Sequence, residues 1–202
     1  MNVWHDINPG ENLTESFKCL IEIPWRSHNK YEIDKETGLL MLDRVMYSSM
    51  QYPADYGMIP QTLAEDGDPL DVLLLTTNPL FPMTLVEARP LGMLLMIDDG
   101  EMDEKIIAVP LNDPRFIEYK TIDDVPAARK AEIEDFFRTY KYLEKKADKM
   151  TEVAANKIGA DAEKLVSYAV KGHKSVDIKG YHGLAKAQDT ILACRQRYQA
   201  KY

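Results

Sequence analysis

Residues 64–75 read Ala64-Glu65-Asp66-Gly67-Asp68-Pro69-Leu70-Asp71-Val72-Leu73-Leu74-Leu75. Gly67 and Pro69 make the first half a turn. The short apolar, β-prone run 72–75 that follows has the pattern of a buried strand. Asp66, Asp68 and Asp71 are therefore expected at the mouth of a strand locked into a core. Two carboxylates about 4 Å apart repel by roughly 1 kcal/mol in water and about 4 kcal/mol at an effective dielectric of 20. No Lys or Arg lies between Arg44 and Arg89 to offset that repulsion locally. Such a group either splays into solvent, shares protons, or holds cations. With no His or Cys nearby, its hard oxygens suit Mg²⁺, Mn²⁺ or Ca²⁺ rather than Zn²⁺. An EF-hand counted from Asp66 fails, because Asp71 falls where Gly is required and Thr77 where Glu is required.

Outward from this stretch, residues 17–23 form a strand candidate that carries Glu22 and ends at Pro24. Residues 30–34 (Lys-Tyr-Glu-Ile-Asp) alternate and place Lys30, Glu32 and Asp34 on one face. A turn at Thr37-Gly38 returns the chain through 39–45, with Asp43-Arg44 at the end, as a β-hairpin. Residues 52–57 (Tyr-Pro-Ala-Asp-Tyr-Gly) suggest a loop with buried rings, and 84–97 one or two strands broken at Pro90 and Gly92.

A second acidic turn, residues 98–105 (Asp-Asp-Gly-Glu-Met-Asp-Glu-Lys), joins two apolar runs as a hairpin. Either cluster alone would be an ordinary solvated turn. Two of them at strand ends in one small β-domain favour a shared metal site.

From residue 123 the period becomes helical. Pro126 opens a helix whose N-terminal dipole suits Asp123 and Asp124, and Ile133, Phe136, Phe137, Tyr140 and Leu143 recur on one face. Leu184, Ala187, Ile191, Cys194 and Tyr198 mark a final amphipathic helix. Strands followed by helices predict an α+β, mainly β fold with a barrel or strongly curled sheet.

The 202 residues suit one domain, and a net charge of -8 argues against a nucleic-acid or anionic-membrane partner. Cys19 and Cys194 show neither metal spacing nor a disulfide framework, no signal peptide or membrane span is evident, and a cytoplasmic setting is expected. No Gly-rich phosphate loop is present. Many Asp plus a few Lys, Arg and Tyr at element ends suit a metal-chelated phosphate substrate.

Residues 66–72 (Asp-Gly-Asp-Pro-Leu-Asp-Val) resemble the signature of the soluble, family I inorganic pyrophosphatases. The blocks around Glu22, Lys30–Lys35, Asp43-Arg44, 52–57, 98–105 and Tyr140-Lys141 agree in order. The resemblance implies an OB-like five-stranded β-barrel with flanking C-terminal helices, and Mg²⁺-dependent (Mn²⁺ as a substitute) hydrolysis of pyrophosphate to two phosphates. By that resemblance Asp66, Asp71 and Asp103 hold one catalytic metal, with Asp71 bridging to a second. Asp68 is the general base, Asp98 and Asp103 hold a third metal, and Glu32 engages a fourth through water. Lys30, Arg44, Tyr56, Lys105, Tyr140 and Lys141 bind phosphate oxygens, supported by Glu22, Tyr52 and Asp99. Family members of this length imply a homo-oligomer, with a hexamer favoured.

Residues 147–173 look like a helical insertion within a single domain spanning 1–202, followed by a return strand near 174–181. Met58 stands where the family usually has an aromatic ring. A two-metal phosphatase or nuclease acting on an organic phosphate, and a Ca²⁺-stabilised binding module or inactive relative that binds metal without turnover, are the rival readings. A basic groove is lacking for the nuclease, and the retained functional residue types speak against the idle module. A paired-carboxylate glycosidase would not need the lysines.

Overall fold

Five of the strands close on themselves. In the computed structural model, which describes residues 2–98, 100–143 and 176–202, β1 (Phe17–Ile23) pairs with β4 (Asp55–Ile59), and β4 with β5 (Leu70–Leu74). β5 runs parallel to β7 (Glu101–Pro110), β7 is antiparallel to β6 (Leu85–Asp98), and β6 returns to β1. The order is that of an OB-like barrel, as expected from the sequence. β8 (Asp177–His182) adds to the outer half of β6, and β2 (Asn29–Ile33) with β3 (Leu40–Val45) forms a separate hairpin.

Side-chain alternation divides the core in two. Leu70, Val72 and Leu74 of β5 pack with Ile106 and Ala108 of β7 and with Ala187, Ile191 and Cys194 of the last helix, α2 (Leu184–Lys201). Leu73 points the other way, with Ile107 and Val109, toward Ile133, Phe136, Phe137 and Tyr140 on and after α1 (Ala127–Thr139). Asp71 shares the Leu73 face, so the period of two delivers its carboxylate to the side where α1 ends.

Three local details correct or narrow the sequence expectation. Asp55-Tyr56-Gly57 belongs to β4 rather than to a loop, because pairing on both edges overrides the Pro and Gly signals. Gly57 is required there: a Cβ would lie 2.0 Å from the Leu20 carbonyl oxygen of β1. β6 is one strand that absorbs Pro90 and Gly92 in a bulge. Asp124 does not serve the dipole of α1; it closes a capping box with Thr121 on the preceding 3-10 turn. The insertion expected over 147–173 lies outside the described residues.

Candidate active site

The loop between β4 and β5 fixes the first carboxylates. Asp66 Oδ1 accepts the Asp68 N–H at 2.9 Å, and the Asp68 carbonyl accepts the Ala64 N–H at 2.7 Å. Gly67 sits at φ +87°, a left-handed conformation that glycine adopts without strain. This tight turn projects Asp66 and Asp68 from neighbouring positions, and Asp71 follows as the second residue of β5. The Asp68 carboxylate is about half exposed and pairs with Lys35.

β7 supplies the opposing wall. Parallel pairing sets Lys105 directly beside Asp71. The buried Lys105 ammonium lies 2.5 Å from Asp71 Oδ2 and 2.6 Å from Asp103 Oδ1, and it donates to the Tyr56 hydroxyl at 3.0 Å. Burial opposes the lysine's charge, but Asp103 and Asp71 outweigh it and push its pKa well up, so it stays cationic. Burial raises Asp71 to about 6 in spite of Lys105. The Tyr56 hydroxyl is pushed up by burial and by Asp71, which keeps it a neutral donor.

The end of β6 brings Asp98, whose Oδ2 receives Lys141 Nζ at 2.5 Å and the Tyr140 hydroxyl at 3.3 Å from the residues just after α1. Tyr140 is raised by burial and then by Asp98. From the hairpin, Lys30 and Arg44 are register partners. Asp43 joins them, 3.1 Å from Lys30 Nζ and 3.3 Å from Arg44 Nε, and Lys30 also pairs with Glu32. Glu22 on β1 is buried and accepts the Ile33 N–H at 2.9 Å, which ties the hairpin to the barrel. Burial and then Asp71 raise Glu22 to about 8, so it is mostly protonated at neutral pH.

Apart from Asp43, these groups border one cleft of about 310 Å³. Asp66, Asp68, Asp71, Asp98 and Asp103 line it with Glu22, Glu32, Lys30, Arg44, Tyr56, Lys105, Tyr140 and Lys141. Tyr52 stands behind this lining, its ring 5.6 Å from that of Tyr56 and 4.8 Å from that of Phe136. Asp99 lies outside the described residues. Sequence reasoning missed Trp4 and Lys35, which also line the cleft. Lys35 closes the Lys30–Lys35 block of the family resemblance without being given a role there; Trp4, near the start of the chain, carried no such signal.

Among the described residues the cleft holds seven carboxyl groups against five ammonium or guanidinium groups. As arranged, no three acidic, His or Cys side chains among the described residues close around a common cation position. Lys105 stands between Asp71 and Asp103, and Lys141 on Asp98. The donor set nevertheless fits a hard divalent ion: all the acids are carboxylates, and Asp98 Oδ1 is buried without a hydrogen-bond partner.

Comparison with known proteins agrees with this chemistry. The family model described as inorganic pyrophosphatase matches residues 19–173. The inorganic pyrophosphatase of Synechocystis sp. is 52% identical over 166 residues, covering 82% of this chain and 96% of that protein. That of Halalkalibacterium halodurans is 50% identical over 157 residues, 78% of this chain and 94% of the relative. The crystal structure of inorganic pyrophosphatase from Thermus thermophilus superposes with a TM-score of 0.83 at 39% identity, covering 98% of this chain and 99% of that one. With a barrel of the same kind and a polar cleft built from the signature aspartates, the chain belongs to the inorganic pyrophosphatase family, enzymes that hydrolyse inorganic pyrophosphate.

Proposed function

We propose that this chain hydrolyses pyrophosphate in a Mg²⁺-dependent reaction with Asp68 as general base. The family implies a divalent metal cofactor; Mg²⁺, with Mn²⁺ as a substitute, is the choice that the all-oxygen donor set favours. Asp66, Asp71 and Asp103 would hold one ion, with Asp71 reaching toward a second, and Asp98 and Glu32 would serve further ions. Bound there, divalent ions supply charge compensation for phosphoryl oxygens and acidify the attacking water.

The chain's own groups do the rest. Lys30, Arg44, Lys105 and Lys141, with the hydroxyls of Tyr56 and Tyr140, orient the two phosphoryl groups and offset charge on the departing phosphate. Asp68 takes the proton as the water oxygen bonds to phosphorus, and the bridging P–O bond breaks with its electron pair leaving on the departing phosphate. Asp68 suits that role because its neighbours are otherwise engaged. Asp71 and Asp103 pair with buried Lys105, and Asp98 with Lys141. Asp68 is about half exposed and pairs only with the equally exposed Lys35 in the described ion pairs. Glu22 and Tyr52 act as supports, one bonded to the hairpin backbone and the other packed behind Tyr56.

The observation that carries this reading is the convergence of carboxylates from β5, β6 and β7 with cations from β2, β3 and β7 and the end of α1 in one small cleft. With Mg²⁺ present, phosphate release from pyrophosphate is expected to exceed release from ATP or p-nitrophenyl phosphate by at least about a hundredfold, since the fixed cations reward two adjacent phosphoryl groups without an organic substituent. Comparable rates on all three would favour a general two-metal phosphatase.

We also propose a homo-oligomer, a hexamer by resemblance to the family. Leu39, Met41, Leu42, Val45 and Tyr47 are exposed along the hairpin, and Phe81 is 86% exposed. Sedimentation velocity is expected to give six chain masses; a monomer would contradict this. Among the described residues no helix is long and apolar enough to cross a membrane. Both cysteines are free and buried, which suits the reducing cytoplasm we propose for the enzyme.

A further inference from the structure

Behind the cleft, the segment leading into the aspartate loop is gripped by both ends of the chain. Three consecutive carbonyls each accept a hydrogen bond from a different distant side chain: Gln61 from Arg195 Nη1 at 2.9 Å, Thr62 from Trp4 Nε1 at 2.9 Å, and Leu63 from Arg197 Nη1 at 2.7 Å. The N–H groups of Gln61 and Leu63 donate to the carbonyls of Trp4 at 2.8 Å and Cys194 at 2.9 Å. The buried Thr62 hydroxyl receives the Leu70 N–H at 2.9 Å, one residue before Asp71. Arg197 also reaches Glu65 Oε1 at 3.5 Å, one residue before Asp66. The rings of Trp4, His5, Tyr198 and Tyr202 pack together and join the two chain ends to each other.

Packing of α2 alone does not call for these bonds. Ala187, Ile191 and Cys194 bury the helix against β5 and β7 without any arginine. Each guanidinium instead gives a hydrogen bond to the backbone that enters the carboxylate turn, and Arg195 adds one to the Gln61 side chain and Arg197 one to that of Glu65. Charged donors make the stronger hydrogen bonds, and a carbonyl held from behind gives the residues ahead of it a fixed direction.

We propose that Arg197, with Arg195 and Trp4, is a mount that sets Asp66 and Asp71 in place for cation binding, Arg197 acting as a positioning residue through Leu63 and Glu65. The proposal rests on the metal-binding reading given above. Groups bonded directly to metal ligands typically cost about 10- to 100-fold in metal affinity when removed; Arg197 bonds Leu63 and Glu65, just before the ligand Asp66, so the low end of that range is expected. Cation binding and the mount are then coupled, so each steadies the other.

The test uses the full chain with Mn²⁺ as the probe, free Mn²⁺ being read by electron paramagnetic resonance, and thermal melting in chelator as the control for folding. Arg197→Met is expected to weaken Mn²⁺ binding about tenfold, and Arg197→Lys, which keeps a charged donor, to recover part of the loss. A folded Arg197→Met variant that binds Mn²⁺ within twofold (about three-tenths of the tenfold unit on a free-energy scale) of the unsubstituted protein overturns the mount. Should Arg197→Met fail to fold, hydrogen exchange on the unsubstituted protein decides. Mg²⁺ is expected to slow exchange at 66–71 and also at Leu63 and 195–201. Slowing confined to 66–71 overturns the mount and leaves the metal site standing. Failure of the unsubstituted protein to bind Mn²⁺ overturns the metal reading, and the mount with it.

Discussion

Asp68→Asn is expected to keep its divalent-cation binding while losing about 10²- to 10⁴-fold in pyrophosphate hydrolysis at neutral pH, the usual contribution of a positioned general base. The amide is nearly isosteric but cannot take a proton from water. The turn itself should survive, because its hydrogen bonds use the Asp68 backbone N–H and carbonyl rather than the side chain. The ion pair with Lys35 is lost, but both partners are about half exposed, and such pairs contribute only about 0–1 kcal/mol. Activity near that of the unsubstituted enzyme would remove the base assignment. Loss of cation binding together with activity would make Asp68 a ligand instead.

Withdrawal of divalent cations is expected to have the larger effect, a loss of at least about a thousandfold. Metal-assisted charge stabilisation supplies several kcal/mol and each 1.36 kcal/mol is tenfold in rate, so about 4 kcal/mol already reaches that figure. The cleft explains why the chain cannot substitute for the ions. Its fixed cations are fewer than its carboxyl groups, and Lys30, Lys105 and Lys141 already pair with Glu32, Asp71, Asp103 and Asp98. A polyanion entering this balance meets like charge at short range, where each contact at 4 Å costs about 4 kcal/mol at an effective dielectric of 20.

Local pattern made much of this architecture visible in advance. Alternation around Lys30 and Glu32, with the turn at Gly38, is enough to give the hairpin. Pro69 and the apolar run after it give a buried strand with Asp71 at its mouth. What stayed hidden depends on contacts across long sequence separations. Asp55 looked like part of a Pro- and Gly-rich loop, yet it is buried, and its carboxylate accepts the N–H groups of Trp25 at 2.8 Å and Leu80 at 3.0 Å as well as the Thr76 hydroxyl. No local period announces a carboxylate that ties two loops to the start of β4. Trp4 and Arg197 are invisible for the same reason, since their partners at Thr62 and Leu63 lie 58 and 134 residues away. The individual site residues were legible through the family resemblance more than through pattern. Composition alone could not say that Lys105 would stand between Asp71 and Asp103, whereas the parallel register of β5 and β7 dictates it.

On this reading the carboxylates of the cleft hold divalent ions for attack on a phosphoric anhydride. The direct measurement is phosphate release from pyrophosphate by the purified chain in Mg²⁺, in excess chelator, and after Mg²⁺ is restored. The expectation is rapid release, a fall of at least about a thousandfold, and full recovery. Release in chelator within about tenfold of the Mg²⁺ rate, a difference of only about 1.4 kcal/mol in barrier, would contradict it.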